Sequence, residues 1–201
     1  MNKVLLQLSA LLFLSSTAVQ AQSWDKKDFS YEYSMAIPVG SLADFIGETS
    51  FRGFTFAYQN PISDNLSFGF EAGWNVFNQE LEYGTFTRGT ESISGEQFRY
   101  LNSYPLLLGA QYHYRPAPLV DIAVGLGLGI AGQYQTVDMG QYRFSESSWQ
   151  FLMRPEIIAN YEVGMDTDFR ISAKYYGSVS NNTLDGRSFI AFNVGFAFHR
   201  F

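Results

Sequence analysis

Residues Leu66-Ser-Phe-Gly-Phe-Glu-Ala-Gly-Trp-Asn-Val76 decide the fold. Leu66, Phe68, Phe70, Ala72, Trp74 and Val76 are apolar, and Ser67, Gly69, Glu71, Gly73 and Asn75 lie between them. A period of two describes a strand whose faces meet different environments. The pattern returns at 120–131, where Val120, Ile122, Val124, Leu126, Leu128 and Ile130 alternate with Asp121, Ala123, Gly125, Gly127, Gly129 and Ala131. It returns again at 190–198, with Ile190, Phe192, Val194, Phe196 and Phe198 on one face.

Weaker alternation over 29–37, 53–59, 104–114, 149–162 and 168–176 brings the expected number of strands to eight. No helical stripe of useful length interrupts them. Asn60–Asn65, Arg115–Pro118 and Gly164–Thr167 are short and rich in Pro, Asn, Asp or Gly, as tight turns require. Between them lie longer segments, roughly 38–52, 78–100, 132–148 and 177–188, which read as loops. Short and long connections in strict alternation predict an up-and-down meander, with one trimmed rim and one elaborated rim. In the first hairpin, Phe56 is expected opposite Phe70 and Thr55 opposite Glu71.

Volume decides which face is inside. An eight-stranded barrel has an interior only just wide enough for side chains to fill. The bulky apolar face would overfill it, whereas the face of Gly, Ala, Ser, Thr, Asn and Gln with a few charges suits it. The expectation is an all-β, eight-stranded antiparallel up-and-down transmembrane β-barrel, apolar outside and polar within. Closure satisfies every backbone group where water is absent. Tyr58, Tyr112, Tyr114, Tyr161 and Phe198 near the short turns, and Trp74, Phe77, Tyr104 and Trp149 near the long segments, read as interfacial girdles.

Composition agrees. Of 201 residues only 16% are charged, against about 25% for a typical soluble domain, and 17% are aromatic. The net charge of −6 opposes nucleic-acid binding, which needs a basic face. The absence of cysteine excludes a disulfide scaffold, a thiolate metal site, a Cys nucleophile and a lipidated N-terminal Cys. Lys3, the apolar run Val4–Leu14 and the ending Ala18-Val-Gln-Ala21 read as a signal peptide over 1–21. The run is shorter than the ~20 residues of a spanning helix. Residues 22–201 are expected to form one barrel.

These features together, with the Gly-rich Val124–Gly132 and the closing Asn193-Val-Gly-Phe-Ala-Phe-His-Arg-Phe201, resemble small outer-membrane β-barrel proteins of the OmpA/OmpX type. The likeness is greatest to the outer-membrane β-barrel domain proteins of the Bacteroidetes. Phe201 resembles the family's aromatic C-terminal assembly signal, one residue out of phase with Phe192, Phe196 and Phe198. The resemblance implies the outer membrane of a Gram-negative bacterium. It also implies outer-membrane lipid, including lipopolysaccharide, as surroundings and the barrel-assembly machinery as a partner in biogenesis.

The charges that share the inward phase are Glu32, Glu71, His113, Asp121, Arg154, Glu156, Arg170 and Lys174, with Glu162 near the rim. They read as a lumen polar network that plugs the barrel and fixes register. Glu156 is expected opposite Lys174, and His113 opposite Asp121. Buried charges are costly unless paired. Catalysis needs a His beside a Ser and a carboxylate; the only histidines, His113 and His199, lie at the short-turn rim, away from the Ser-rich long segments. Asp166-Thr-Asp168 lacks the further ligands of a calcium loop, and Gly125, Gly127 and Gly129 fall on one strand face with no helix following. No catalytic residue, cofactor or metal is expected. The expected role is structural or interactive, with a protein or glycan ligand at the long loops. A lipid-modifying enzyme (acyltransferase or deacylase) and a narrow pore are the rivals.

Overall fold

The computed structural model describes residues 27–88, 91–181 and 184–200; the signal segment and Phe201 lie outside them. The strands are β1 (Lys27–Val39), β2 (Gly53–Ser63), β3 (Leu66–Arg88), β4 (Glu91–Ala117), β5 (Val120–Met139), β6 (Tyr142–Gly164), β7 (Thr167–Ser178) and β8 (Ser188–Arg200). Each pairs antiparallel with its sequence neighbour, and β1 pairs with β8 from Lys27↔Arg200 to Val39↔Ser188 to close the barrel. No edge is left to template aggregation.

The alternation sorts as volume requires. Phe70, Leu108, Leu126, Ile157 and Val194 stand exposed on the outer wall, while Glu32, Glu71, Arg154 and Lys174 are buried within. No helix among the described residues is long and apolar enough to cross a membrane; this transmembrane β-barrel crosses with strands.

Two of the four expected loops are ladder instead. β3 and β4 stay paired out to Arg88↔Glu91, and β5 and β6 out to Met139↔Tyr142. Gly140, with φ of +57°, supplies the left-handed turn residue between the latter pair. Beyond the apolar band both faces of a hairpin meet polar surroundings, so the period of two fades while the hydrogen bonds continue. The 38–52 segment carries a one-turn helix, α1 (Ser41–Phe45), and returns to β1 through an Ala36↔Ser50 bridge.

Register departs from expectation twice. Phe56 faces Ala72, Thr55 faces Gly73, and Tyr58 meets Phe70. A two-residue turn at Asp64-Asn65 and a bulge between Pro61 and Ser63 shift the hairpin by two residues. A slip of two preserves both faces, where a slip of one would have inverted them. His113 faces Ala123 rather than Asp121, because the ladder is irregular between Tyr114 and Ala117. Phe77 belongs to no girdle: its phase is inward, and it is fully buried.

Candidate functional site

The barrel interior is built in three levels, beginning at the short turns. In the first, Arg170 donates to Asp28 through Nη2 and to Asn160 Oδ1 through Nε at 2.8 Å. Asn160 Nδ2 donates to Asp121 Oδ2 at 2.9 Å, and the same oxygen lies 2.9 Å from His113 Nδ1. His113 Nε2 lies 3.0 Å from Ser67 Oγ. Nearer the rim, His199 Nε2 is 2.9 Å from Asp168 Oδ2.

The second level holds three carboxylates around two cations. Lys174 Nζ donates to Glu32 Oε1 at 3.0 Å and to Glu71 Oε2 at 2.8 Å. Arg154 donates to Glu71 and, at 2.6 Å, to Glu156 Oε1. Gln111 Nε2 adds a bond to Glu156 Oε1 at 3.0 Å, Tyr176 OH donates to Glu71 Oε1 at 2.7 Å, and Ser172 donates to Glu32. Such a buried cluster is tolerable because its opposite charges pair with one another. Space for it comes from β5. Gly125 pairs with Glu156 and Gly127 with Arg154. A β-carbon at 125 would lie 2.5 Å from Glu156 Oε1, and one at 127 would lie 3.2 Å from the Arg154 guanidinium.

The third level is apolar, which the polar-lumen expectation did not include. Phe77, Leu101, Leu107, Leu152, Tyr176 and Phe189 are buried above the charges. The Tyr176 and Phe189 rings stack at 4.6 Å, and Phe77 meets Phe189 edge-on at 5.2 Å. From the mouth, Leu42 of α1 and Ile46 join this layer. Arg99 and Arg187 sit over the Phe45 ring at 5.2 and 4.8 Å and donate to the carbonyls of Phe45 and Ser41 at 2.7 and 2.8 Å. At this mouth, outside the apolar band, burial lowers the pKa of both guanidinium groups. On the protruding β5–β6 hairpin, hydrogen bonding from Arg143 lowers the Asp138 pKa.

All eight inward charges are therefore buried in the lumen, in two groups. Glu32, Glu71, Arg154, Glu156 and Lys174 form the central cluster, and Asp121, His113 and Arg170 belong to the short-turn level. Glu162 is exposed at the rim. Glu156 does face Lys174 across the ladder, but its nearer oxygen lies 4.0 Å from Nζ. His113 reaches Asp121 diagonally. Sequence reasoning missed Asp28, Ser67, Gln111, Asn160, Ser172 and Tyr176, although each shares the inward phase of a charge on its own strand. It also held both histidines apart from any serine, and the Ser67–His113 pair corrects this.

No family model and no curated protein sequence matches the chain. Solved structures do. Neisserial surface protein A superposes with a TM-score of 0.56 at 14% identity, over 88% of this chain and 97% of its own. OprG from Pseudomonas aeruginosa gives 0.51 at 12%, over 90% and 99%. Ail, the attachment invasion locus protein of Yersinia pestis, gives 0.50 at 12%, over 87% and 97%. The fold is that of the small outer-membrane β-barrels. Identities this low establish architecture only.

Proposed function

We propose that the chain is an integral outer-membrane barrel with a structural or interaction role, sealed along its axis, which presents its two long hairpins outside a Gram-negative cell. The observation that supports this is the double filling of the lumen, a buried charged cluster beneath a buried apolar layer. The ladders of β3–β4 and β5–β6 meanwhile project far beyond the apolar band and leave Tyr83 and Tyr142 exposed. Exposed aromatic residues are common anchors of protein and glycan contacts. In this reading residues 1–21 are a cleaved signal, 22–201 are one barrel domain, and assembly runs through the barrel-assembly machinery into lipopolysaccharide-containing membrane. The chain in this reading is of the Bacteroidetes barrel-domain kind, and no catalysis is involved.

The test combines conductance with topology. Reconstituted in planar bilayers, the barrel should show no steady single-channel current; a stable large conductance would make it a pore. Cysteines placed at Tyr83, Gln141 and Asp185 should label on whole cells with an impermeant reagent, and cysteines at Asp64, Ala117 and Asp166 should not. The reverse pattern would invert the orientation and remove the hairpins from the outside. A photo-crosslinker at Tyr83 that yields no discrete adduct in cells would reduce the role to a structural one.

One arrangement favours an enzyme. Ser67, His113 and Asp121 follow the hydrogen-bond order of a nucleophilic triad, with separations of 3.0 and 2.9 Å. All three are buried, Ser67 to 2% exposure, so an ester would have to enter from the short-turn end. Fluorophosphonate labelling of folded protein at Ser67, abolished in His113→Ala, would support hydrolysis. Absence of labelling eliminates it.

A further inference from the structure

Where β2 begins at Gly53, its neighbour β3 runs on past Asn75, and the outer wall has a step. The step forms a groove of about 390 Å³ lined by Arg52, Gly53, Phe54, Trp74, Val76 and Asn102. That volume falls in the ~300–1,000 Å³ range of small-molecule sites. Its floor is aromatic and fixed. Phe54 meets Trp74 edge-on at 5.8 Å, Trp74 stacks on Tyr104 at 6.3 Å, and Trp74 Nε1 donates to Asn102 Oδ1 at 3.0 Å. Backbone bonding from Val76 N to the Arg52 carbonyl, at 2.9 Å, holds the lip.

The level of the groove says what surrounds it. From Leu66 to Trp74 the outward residues of β3 are apolar, a length that matches the ~9–11 residues of a membrane-crossing strand. Trp74 and Tyr104 mark the end of the apolar band, and Asn102 is the first polar residue outward of Tyr104. The aromatic floor thus faces acyl chains while the lip reaches the head groups. At the lip, Arg52 is exposed, and its guanidinium makes no hydrogen bond or ion pair among the described residues. An arginine fork matches a phosphate in geometry as well as in charge.

We infer that this groove binds a phosphate-bearing glycolipid of the leaflet at the long-hairpin end, one acyl chain lying against Phe54, Trp74 and Val76 and a phosphate on Arg52. The Asn102 amide, its oxygen already committed to Trp74, turns its N–H groups to the head group. The site rests on the proposed orientation for the identity of that leaflet, but its chemistry does not. It gives the barrel one preferred lipid at a fixed position on the β2–β3 side.

Native mass spectrometry of the folded, detergent-solubilised chain tests this, with bis-phosphorylated lipid A and its dephosphorylated counterpart as probes. One phosphorylated lipid should bind per barrel. The dephosphorylated probe should bind about tenfold more weakly, as loss of a charge-assisted bond implies. Arg52→Ala should lose the same factor for the phosphorylated lipid alone, Arg52→Lys should restore part of it, and Trp74→Ala should weaken both lipids. Arg143→Ala, on an arginine already paired with Asp138, should change nothing. Retained heat-modifiable mobility certifies that each variant is folded. Equal binding of the two lipids, no effect of Arg52→Ala, or a protein dimer in place of a lipid adduct would each overturn the site. Any of these would leave the sealed barrel intact, because conductance and labelling test that reading separately.

Discussion

Lys174 hydrogen-bonds Glu71 across the lumen at 2.8 Å, whereas its ladder neighbour Glu156 lies at 4.0 Å. Strand pairing brings Lys174 beside Glu156, but a long side chain in a narrow barrel spans to the far wall. The consequence is testable by double-mutant cycles in urea unfolding from lipid. Lys174→Met should cost ~3–5 kcal/mol, the usual result of orphaning a buried charge. The coupling energy of Lys174 with Glu71 should exceed that with Glu156, measured with Glu71→Gln and Glu156→Gln. Equal couplings, or additivity in both cycles, would mean that the cross-lumen contact carries no energy.

A second expectation concerns the glycine row of β5. Gly127→Ala asks only the flexible end of Arg154 to move a few tenths of an ångström, so its effect should be small. Gly127→Val pushes the guanidinium away from Glu71 and Glu156, and overpacking of this kind typically costs ~1–3 kcal/mol. Arg154→Met in the Gly127→Val background should recover little, because Glu71 and Glu156 then lose their shared cation. Unfolding midpoints of the three variants check the order.

How much of this was legible beforehand follows from where the physics is local. The strand faces of 66–76 and 120–131 follow from side-chain period alone, and so does the burial of Glu71 and Asp121. Partner choice does not, because Glu32, Glu71 and Lys174 come from three strands and meet only after closure. The hairpin extensions left no signal, since residues such as Glu80 and Glu82 lie where neither face is greasy. The apolar layer was readable in part. Phe77 and Phe189 carry the inward phase, which alone separates them from a lipid-facing girdle, whereas the closure of α1 over the mouth gave no signal.

On the outer wall, depth should set the cost of a charge. Leu126 lies mid-band and exposed, so Leu126→Arg should destabilise by ~2–4 kcal/mol. Tyr134, four outward positions further along the same strand, stands past the girdle level of Tyr104. Tyr134→Arg should cost about 0–1 kcal/mol, the value found near interfaces. Similar penalties at both positions would place the bilayer elsewhere on the barrel.

The last expectation separates the membrane barrel from its protruding ladder. If β3 and β4 beyond Gly84↔Gly95 stand outside the bilayer, the hairpin tip contributes neither to the lumen network nor to the lipid-facing band. Replacing residues 85–94 by Asn-Gly supplies the two-residue turn that such a ladder favours. The shortened loop also closes at less entropic cost, which changes only slowly with length. Folding into lipid, heat-modifiable mobility and the urea midpoint should therefore stay within about 1 kcal/mol of the parent chain, while any photo-adduct formed through Tyr83 should be weakened or lost. A larger loss of stability would mean that the tip folds back onto the barrel. Unchanged adducts would move the interaction surface to the β5–β6 hairpin, whose turn at Gly140 is the other projecting point.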